Sequence, residues 1–120
     1  MTGDTPFKII LVEDEVLIAM DLEQEFASMG VEIVGTAGTL ADAKNLAEHA
    51  DYDVAIFDID LQGEEVFPAA EIARLRGQHF VFFSGHADSR CVDERFPGVP
   101  LVRKPATAVQ LYDAVLAAAA

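Results

Sequence analysis

The chain has 120 residues, with 21 Asp or Glu against 8 Lys or Arg and a formal net charge of -13. This charge argues against direct binding to nucleic acid or to an anionic membrane surface, because both depend on clustered cationic side chains. Every apolar stretch is shorter than the roughly 20 residues that a membrane-spanning helix needs, and the N-terminus lacks a signal-peptide pattern. We therefore expect one cytoplasmic domain over residues 1–120, with a folded core at 7–119 and a flexible N-terminus at 1–6.

The first part of the chain alternates apolar runs with an amphipathic segment. Residues 7–12 form an apolar run typical of a buried parallel strand, and residues 31–37 predict a second strand at an edge of the sheet. That second strand has three apolar candidates for one face: Val31, Ile33 and Ala37. Between the strands a helix is predicted to end at Gly30. Its apolar positions recur every three or four residues, at Ile18, Leu22, Phe26 and Met29.

The middle of the chain centres on residues 54–57, a continuous apolar run that leads directly into Asp58. Such a run is typical of a strand that is covered on both faces. A helix capped by Thr39 is predicted before it. A short amphipathic helix is predicted after it, with Ile72 and Leu75 on the buried side.

The last part of the chain carries a fourth apolar strand at 80–83 and a short strand at 101–103. Between them the signal is weak, and a short helix is expected at Ser89–Arg95. A final helix begins after Thr107, where Gln110 gives the spacing of a capping box. Five strands alternating with helices predict an α/β domain of three layers, with a parallel sheet and right-handed crossovers.

Polar side chains follow four of the predicted strands: Glu13 and Asp14 the first, Asp58 the third, Ser84 the fourth and Lys104 the fifth. Because the carboxyl ends of parallel strands meet at one edge of a sheet, we expect these groups to lie together. Like charges about 4 Å apart cost on the order of 4 kcal/mol near a protein surface, so three carboxylates there favour a bound cation. A set without cysteine or histidine favours Mg²⁺. With Lys104 and the Ser84 hydroxyl as partners for phosphoryl oxygens, the set indicates phosphoryl transfer to a carboxylate.

This ordered set resembles the receiver domains of two-component response regulators, over essentially the whole chain. The resemblance implies a flavodoxin-like, doubly wound, five-stranded parallel sheet of order 2-1-3-4-5 with five helices. It implies that Asp58 accepts a phosphoryl group from a histidine kinase or a histidine phosphotransfer protein, and that Ser84 and Lys104 bind the phosphoryl oxygens. It also implies a cis bond between Lys104 and Pro105. The implied Mg²⁺ ligands are Glu13, mostly through water, Asp14, Asp58 and the main-chain carbonyl of Asp60.

The sequence departs from the common receiver pattern at two positions. Leu101 stands where the family usually has an aromatic residue that turns inward on activation, and Gly85 stands where an alanine usually follows Ser84. Residues 80–86 instead resemble, in part, the FATGUY-type subgroup, whose members are often free-standing receivers. A stand-alone receiver and a domain of a longer regulator both fit the sequence.

The segment 86–100 is the weakest in sequence signal, and weakly stabilised segments supply the elements that move in switches. We therefore expect activation to reorder this segment, and a downstream protein target to bind through residues 86–103. A phosphorylation-dependent dimer is a further expected assembly. His86 is a candidate for tuning the site, because loop residues beside a site often modify its chemistry.

Two alternatives to a phosphorylated receiver remain open from the sequence. Residues 57–60 also resemble the nucleophile motif of haloacid-dehalogenase-type phosphatases, but those enzymes place their second acidic site after the lysine, and here the acids precede Lys104. A pseudo-receiver that binds partners without phosphorylation is disfavoured because the acidic set, the serine and the lysine are all present. The expected protein is a phosphoacceptor and not an independent turnover enzyme.

Overall fold

The computed structural model describes residues 7–85 and 89–120, and these form seven strands and five helices. The strands are β1 (Lys8–Val12), β2 (Glu32–Ala37), β3 (Val54–Asp58), β4 (Asp60–Leu61), β5 (Glu64–Glu65), β6 (His79–Ser84) and β7 (Leu101–Arg103). The helices are α1 (Val16–Ser28), α2 (Leu40–His49), α3 (Phe67–Leu75), α4 (Ser89–Arg95) and α5 (Ala108–Ala119). The expected flexible segment 1–6 and the candidate His86 lie outside the described residues.

Five of the strands form one parallel sheet in the order β2-β1-β3-β6-β7. Counted along the chain, this is the expected order 2-1-3-4-5, so the predicted α/β, flavodoxin-like class is confirmed. Two hydrophobic clusters cover the two faces of the sheet. One cluster contains side chains of α2, α3 and α4, and the other contains side chains of α1 and α5. In the part of the chain described, no helix has the length and apolar character needed to cross a membrane.

Strand β3 lies at the centre of the sheet, between β1 and β6, and all five of its residues are buried. Its side chains alternate, as the two-residue period of a strand requires. Val54 and Ile56 pack into the cluster beneath α1 and α5, and Ala55 and Phe57 pack into the opposite cluster. The strand therefore ends at a fixed position, and it places Asp58 at the carboxyl edge of the sheet.

An aromatic cluster fills the second face of the sheet and joins β3 and β6 to α3 and α4. Neighbouring ring centroids in it lie 5.3 to 6.4 Å apart, within the range of favourable aromatic pairs. Its members are Phe57, Phe67, Phe80, Phe82 and Phe96. The Arg95 guanidinium lies 4.5 Å from the centroid of the Phe67 ring, so the end of α4 is held against α3 by a cation–π contact.

Three side-chain placements predicted from the sequence are wrong. Leu75 is 79% exposed, because the buried face of α3 consists of Phe67 and three alanines. Met29 is 37% exposed, since α1 ends at the preceding residue. Ala37 packs on the opposite side of the sheet from Ile33. Val34 is an extra residue with no partner on β1, and this bulge reverses which face of the sheet the later side chains of β2 contact.

Candidate functional site

The carboxyl ends of β1, β3, β6 and β7 bring the predicted polar residues to one edge of the sheet. Glu13, Asp58 and Ser84 are each only 4% exposed, although all three are polar. The residues that line the resulting cleft of about 260 Å³ are Asp14, Glu15, Asp58, Asp60, Ser84, Gly85 and Lys104. Five of these lining residues were predicted from the sequence as site residues, whereas Glu15 and Gly85 were not placed in the lining of the cleft.

Lys104 connects the two most buried carboxylates. Its Nζ donates a hydrogen bond to Asp58 Oδ2 at 3.0 Å and lies 2.7 Å from Glu13 Oε1. The same ammonium lies 4.9 Å from the centroid of the Phe83 ring. The backbone N–H of Lys104 donates to the carbonyl of Ser84 at 3.0 Å, which ties the end of β7 to the end of β6. The bond from Lys104 to the following proline is cis, as expected.

The three acids at this edge form a group that could hold a metal ion. Glu13, Asp14 and Asp58 each offer a carboxylate oxygen, and these oxygens lie within 4.8 Å of one another. Within the described residues Glu13 Oε1 is buried and accepts no aligned hydrogen bond, although Lys104 Nζ lies close to it. Three carboxylates against one ammonium leave an excess of negative charge and unused acceptor capacity, and an all-oxygen set of this kind suits a hard divalent cation.

Burial changes the protonation of the site in the metal-free protein. Burial raises the pKa of Glu13 to about 7, against a partial opposing effect of Lys104. Burial also raises the pKa of Asp58, although Glu13 and Lys104 as hydrogen-bond partners oppose the rise. For Lys104 burial lowers the pKa, but the adjacent Glu13 and Asp58 carboxylates outweigh it, and the pKa is raised overall. Lys104 therefore stays charged, and the two carboxyls compete for a proton.

A small hairpin beyond β3 forms part of the wall of the cleft, and the sequence analysis did not identify it. Strands β4 and β5 pair in the antiparallel sense, and Asp60 lies opposite Glu65. Gln62 and Gly63 connect them with φ values of 55° and 89°. Hairpin turns of two residues need positive φ at one or both positions, and Asn-Gly is the sequence that indicates such a turn most strongly. Gln-Gly, the pair present here, is a much weaker indication, so the hairpin was not predicted.

Solved structures similar to this chain include response regulators and SdrG, whereas no protein-family model matches it. SdrG from Sphingomonas melonis Fr1 is 37% identical, with 96% of this chain and 98% of SdrG covered and a TM-score of 0.80. The chain belongs to the receiver-domain family of response regulators. SdrG in its BeF3-activated conformation is also similar to this receiver, with a TM-score of 0.77 and coverage of 97% of this chain and 99% of SdrG.

Longer regulators contain similar segments. The response regulator PhyR from Brucella abortus is 30% identical, with a TM-score of 0.80, 95% of this receiver and 48% of PhyR covered. The transcriptional regulatory protein PdtaR of Mycobacterium tuberculosis H37Rv is 39% identical over an alignment of 84 residues, with 63% of this receiver and 41% of PdtaR covered. The similarity to PdtaR thus spans less than half the length of that protein.

The raised pKa of Glu13 predicts how stability depends on pH in the absence of divalent cations. Between its ordinary value of 4.5 and about 7, the folded state binds more protons at Glu13 than the unfolded state does. The free energy of unfolding should therefore fall as the pH rises through this window. Urea denaturation at a series of pH values in a chelator would measure the slope.

Glu13→Gln should reduce this slope and raise stability at pH 8, because it removes the buried charge. Glu48→Gln, on the exposed surface of α2, is the control and should keep the slope of the wild type. A cation at the three carboxylates would bind their deprotonated form, so we expect saturating Mg²⁺ to stabilise the wild type at pH 8 more than at pH 6. An unchanged slope in Glu13→Gln would show that this carboxyl does not have the raised pKa.

Proposed function

We propose that this receiver accepts a phosphoryl group on Asp58 from a phosphohistidine of a histidine kinase or a histidine phosphotransfer protein in the cytoplasm. The observation that carries the proposal is the position of Asp58. Its carboxylate lies at the end of the central buried strand, 3.0 Å from Lys104 Nζ, in a cleft that Ser84 also lines. This is a carboxylate nucleophile beside one cation and one hydroxyl, as phosphoryl transfer requires.

In the proposed step an oxygen of the Asp58 carboxylate attacks the phosphorus, and the bond from phosphorus to the histidine nitrogen of the donor breaks. The nitrogen keeps the bonding electrons, and an acyl phosphate forms on Asp58. The nucleophile must be deprotonated, and Lys104 favours the charged carboxylate against the effect of burial. The strand holds the carboxylate in place, so that little orientational freedom is lost on the way to the transition state.

Charge on the phosphoryl oxygens would be stabilised by groups that are already in position. Lys104 Nζ lies between Glu13 and Asp58 and can contact an oxygen of a group bound to Asp58. The Ser84 hydroxyl would donate to a second oxygen. Mg²⁺ held by Asp14, Asp58 and the main-chain carbonyl of Asp60, and by Glu13 mostly through water, would neutralise the remaining charge. Asp58 is consumed in each transfer, so the protein acts as a stoichiometric switch and not as a turnover enzyme.

Incubation with acetyl phosphate and Mg²⁺ should add one phosphoryl group to the wild type, and intact-mass spectrometry would detect it. Asp58→Ala should abolish the addition, because it removes the nucleophile. Asp21→Ala, an exposed change on α1, is the matched control and should leave the addition intact. Labelling of Asp58→Ala would place the nucleophile elsewhere, and full labelling in a chelator would exclude the cation from the reaction.

We further propose that residues 86–103 form the output face. Leu101 has no ring to turn inward, and it packs half-buried against the aromatic side of the core. The two groups expected to contact the phosphoryl oxygens, Ser84 and Lys104, flank this segment in sequence and are joined by a backbone hydrogen bond. Movement of either group toward the phosphoryl group would therefore be transmitted to the segment between them.

Hydrogen exchange with and without beryllofluoride, which activates SdrG, tests this face. Peptides from residues 86–100 should change their protection, while peptides from α2 on the far edge should not. Identical exchange of 86–100 in both states, with changes confined to α2, would refute the proposed output face. Light scattering of the same samples would show whether activation converts the chain to a dimer, as expected for a phosphorylation-dependent dimer.

A further inference from the structure

The hairpin β4–β5 makes a direct contact with the opposite side of the cleft. The backbone N–H of Gln62 donates a hydrogen bond to Asp14 Oδ2 at 3.1 Å, between residues 48 positions apart in sequence. Asp14 follows β1, and Gln62 lies at the tip of the hairpin after β3. The contact therefore joins the tip of the hairpin to Asp14, which lines the cleft, and it engages one oxygen of a proposed metal ligand.

The hairpin is also attached to the phosphoacceptor. The backbone N–H of Asp60 donates to Asp58 Oδ1 at 3.3 Å, and the N–H of Gly63 donates to Asp60 Oδ1 at 2.8 Å. At the base of the hairpin the N–H of Val66 donates to the carbonyl of Ile59 at 2.8 Å. The hairpin thus supplies backbone donors to both Asp58 and Asp14, so its geometry affects the positions of both carboxylates.

The conformation of Gln62 is unusual for its residue type. Its φ of 55° lies in the left-handed region, which glycine and asparagine adopt more easily than glutamine. This conformation allows the N–H at the turn to face Asp14. The Gln62 side chain is exposed, so the contact depends on the backbone of the turn and not on the amide group of the side chain.

We propose that Gln62 is a positioning residue: its backbone N–H orients the Asp14 carboxylate for the divalent cation, so that order in the hairpin and Mg²⁺ binding are coupled. The inference rests on the cation of the proposed function. Outer partners that orient metal ligands typically contribute about 10-fold or more to affinity. Because coupling is reciprocal, a bound cation must in turn stabilise the hairpin.

The direct test is the affinity for Mg²⁺ alone, measured by isothermal titration on the wild type, Gln62→Pro and Gln62→Asn. Gln62→Pro removes the donor and is incompatible with a positive φ, so its affinity should fall about 10-fold or more. Gln62→Asn keeps the N–H and suits the turn, so it should bind as the wild type does. The metal-free unfolding midpoint of Gln62→Asn should not fall.

A second measurement does not depend on the folding of the proline variant. In the wild type, Mg²⁺ should slow hydrogen exchange at the Gln62 amide, as followed by NMR. Unchanged or faster exchange at this amide would overturn the inference, and so would wild-type affinity in a folded Gln62→Pro. If the wild type itself binds no Mg²⁺, the cation of the proposed function fails as well, so the two failures are distinguishable.

Discussion

The burial of like charges at one edge of the sheet is the constraint on which the rest of this structure depends. Glu13 and Asp58 are almost fully buried, Asp14 lies beside them, and Lys104 is the ammonium that contacts both buried carboxylates. An uncompensated buried charge is costly, and burial accordingly raises the pKa of both buried acids. A bound divalent cation would offset this excess of negative charge, whereas a phosphoryl group would add to it, so phosphorylation at this site would require the cation and Lys104.

The fold supplies the rigidity that keeps these charges together. β3 is buried on both faces, and its side chains are shared between two cores. The aromatic cluster packs β3 and β6 against α3 and α4, so a movement of β6 would change the packing of these rings. The backbone N–H of Lys104 is bonded to the carbonyl of Ser84, and this hydrogen bond joins the two proposed phosphoryl contacts at the ends of β6 and β7.

The sequence predicted the features that depend on periodicity and on the ends of strands. The parallel sheet and the convergence of Glu13, Asp14, Asp58 and Lys104 follow from apolar runs and from the geometry of parallel sheets. The strand order is implied by the resemblance to receiver domains, and the helix α4 at Ser89–Arg95 is expected from a weak local signal. The errors arise where packing overrides local pattern, as with exposed Leu75 and with Ala37 beyond a bulge. The hairpin at Gln62 was not predicted, because strands of two residues give no periodic pattern in the sequence. Its contact with Asp14 joins residues 48 positions apart, which no local pattern indicates.

Membership of the receiver family favours a signalling receiver over the phosphatase alternative, whose second acidic site would follow the lysine. The most direct measurement of the central claim is a crystal structure of the chain with Mg²⁺ and beryllofluoride. Our account predicts beryllium bonded to an Asp58 carboxylate oxygen, fluorides in contact with Ser84 and Lys104, and Mg²⁺ beside Asp14. A beryllofluoride group on another residue, or a cation bound outside this cleft, would contradict it.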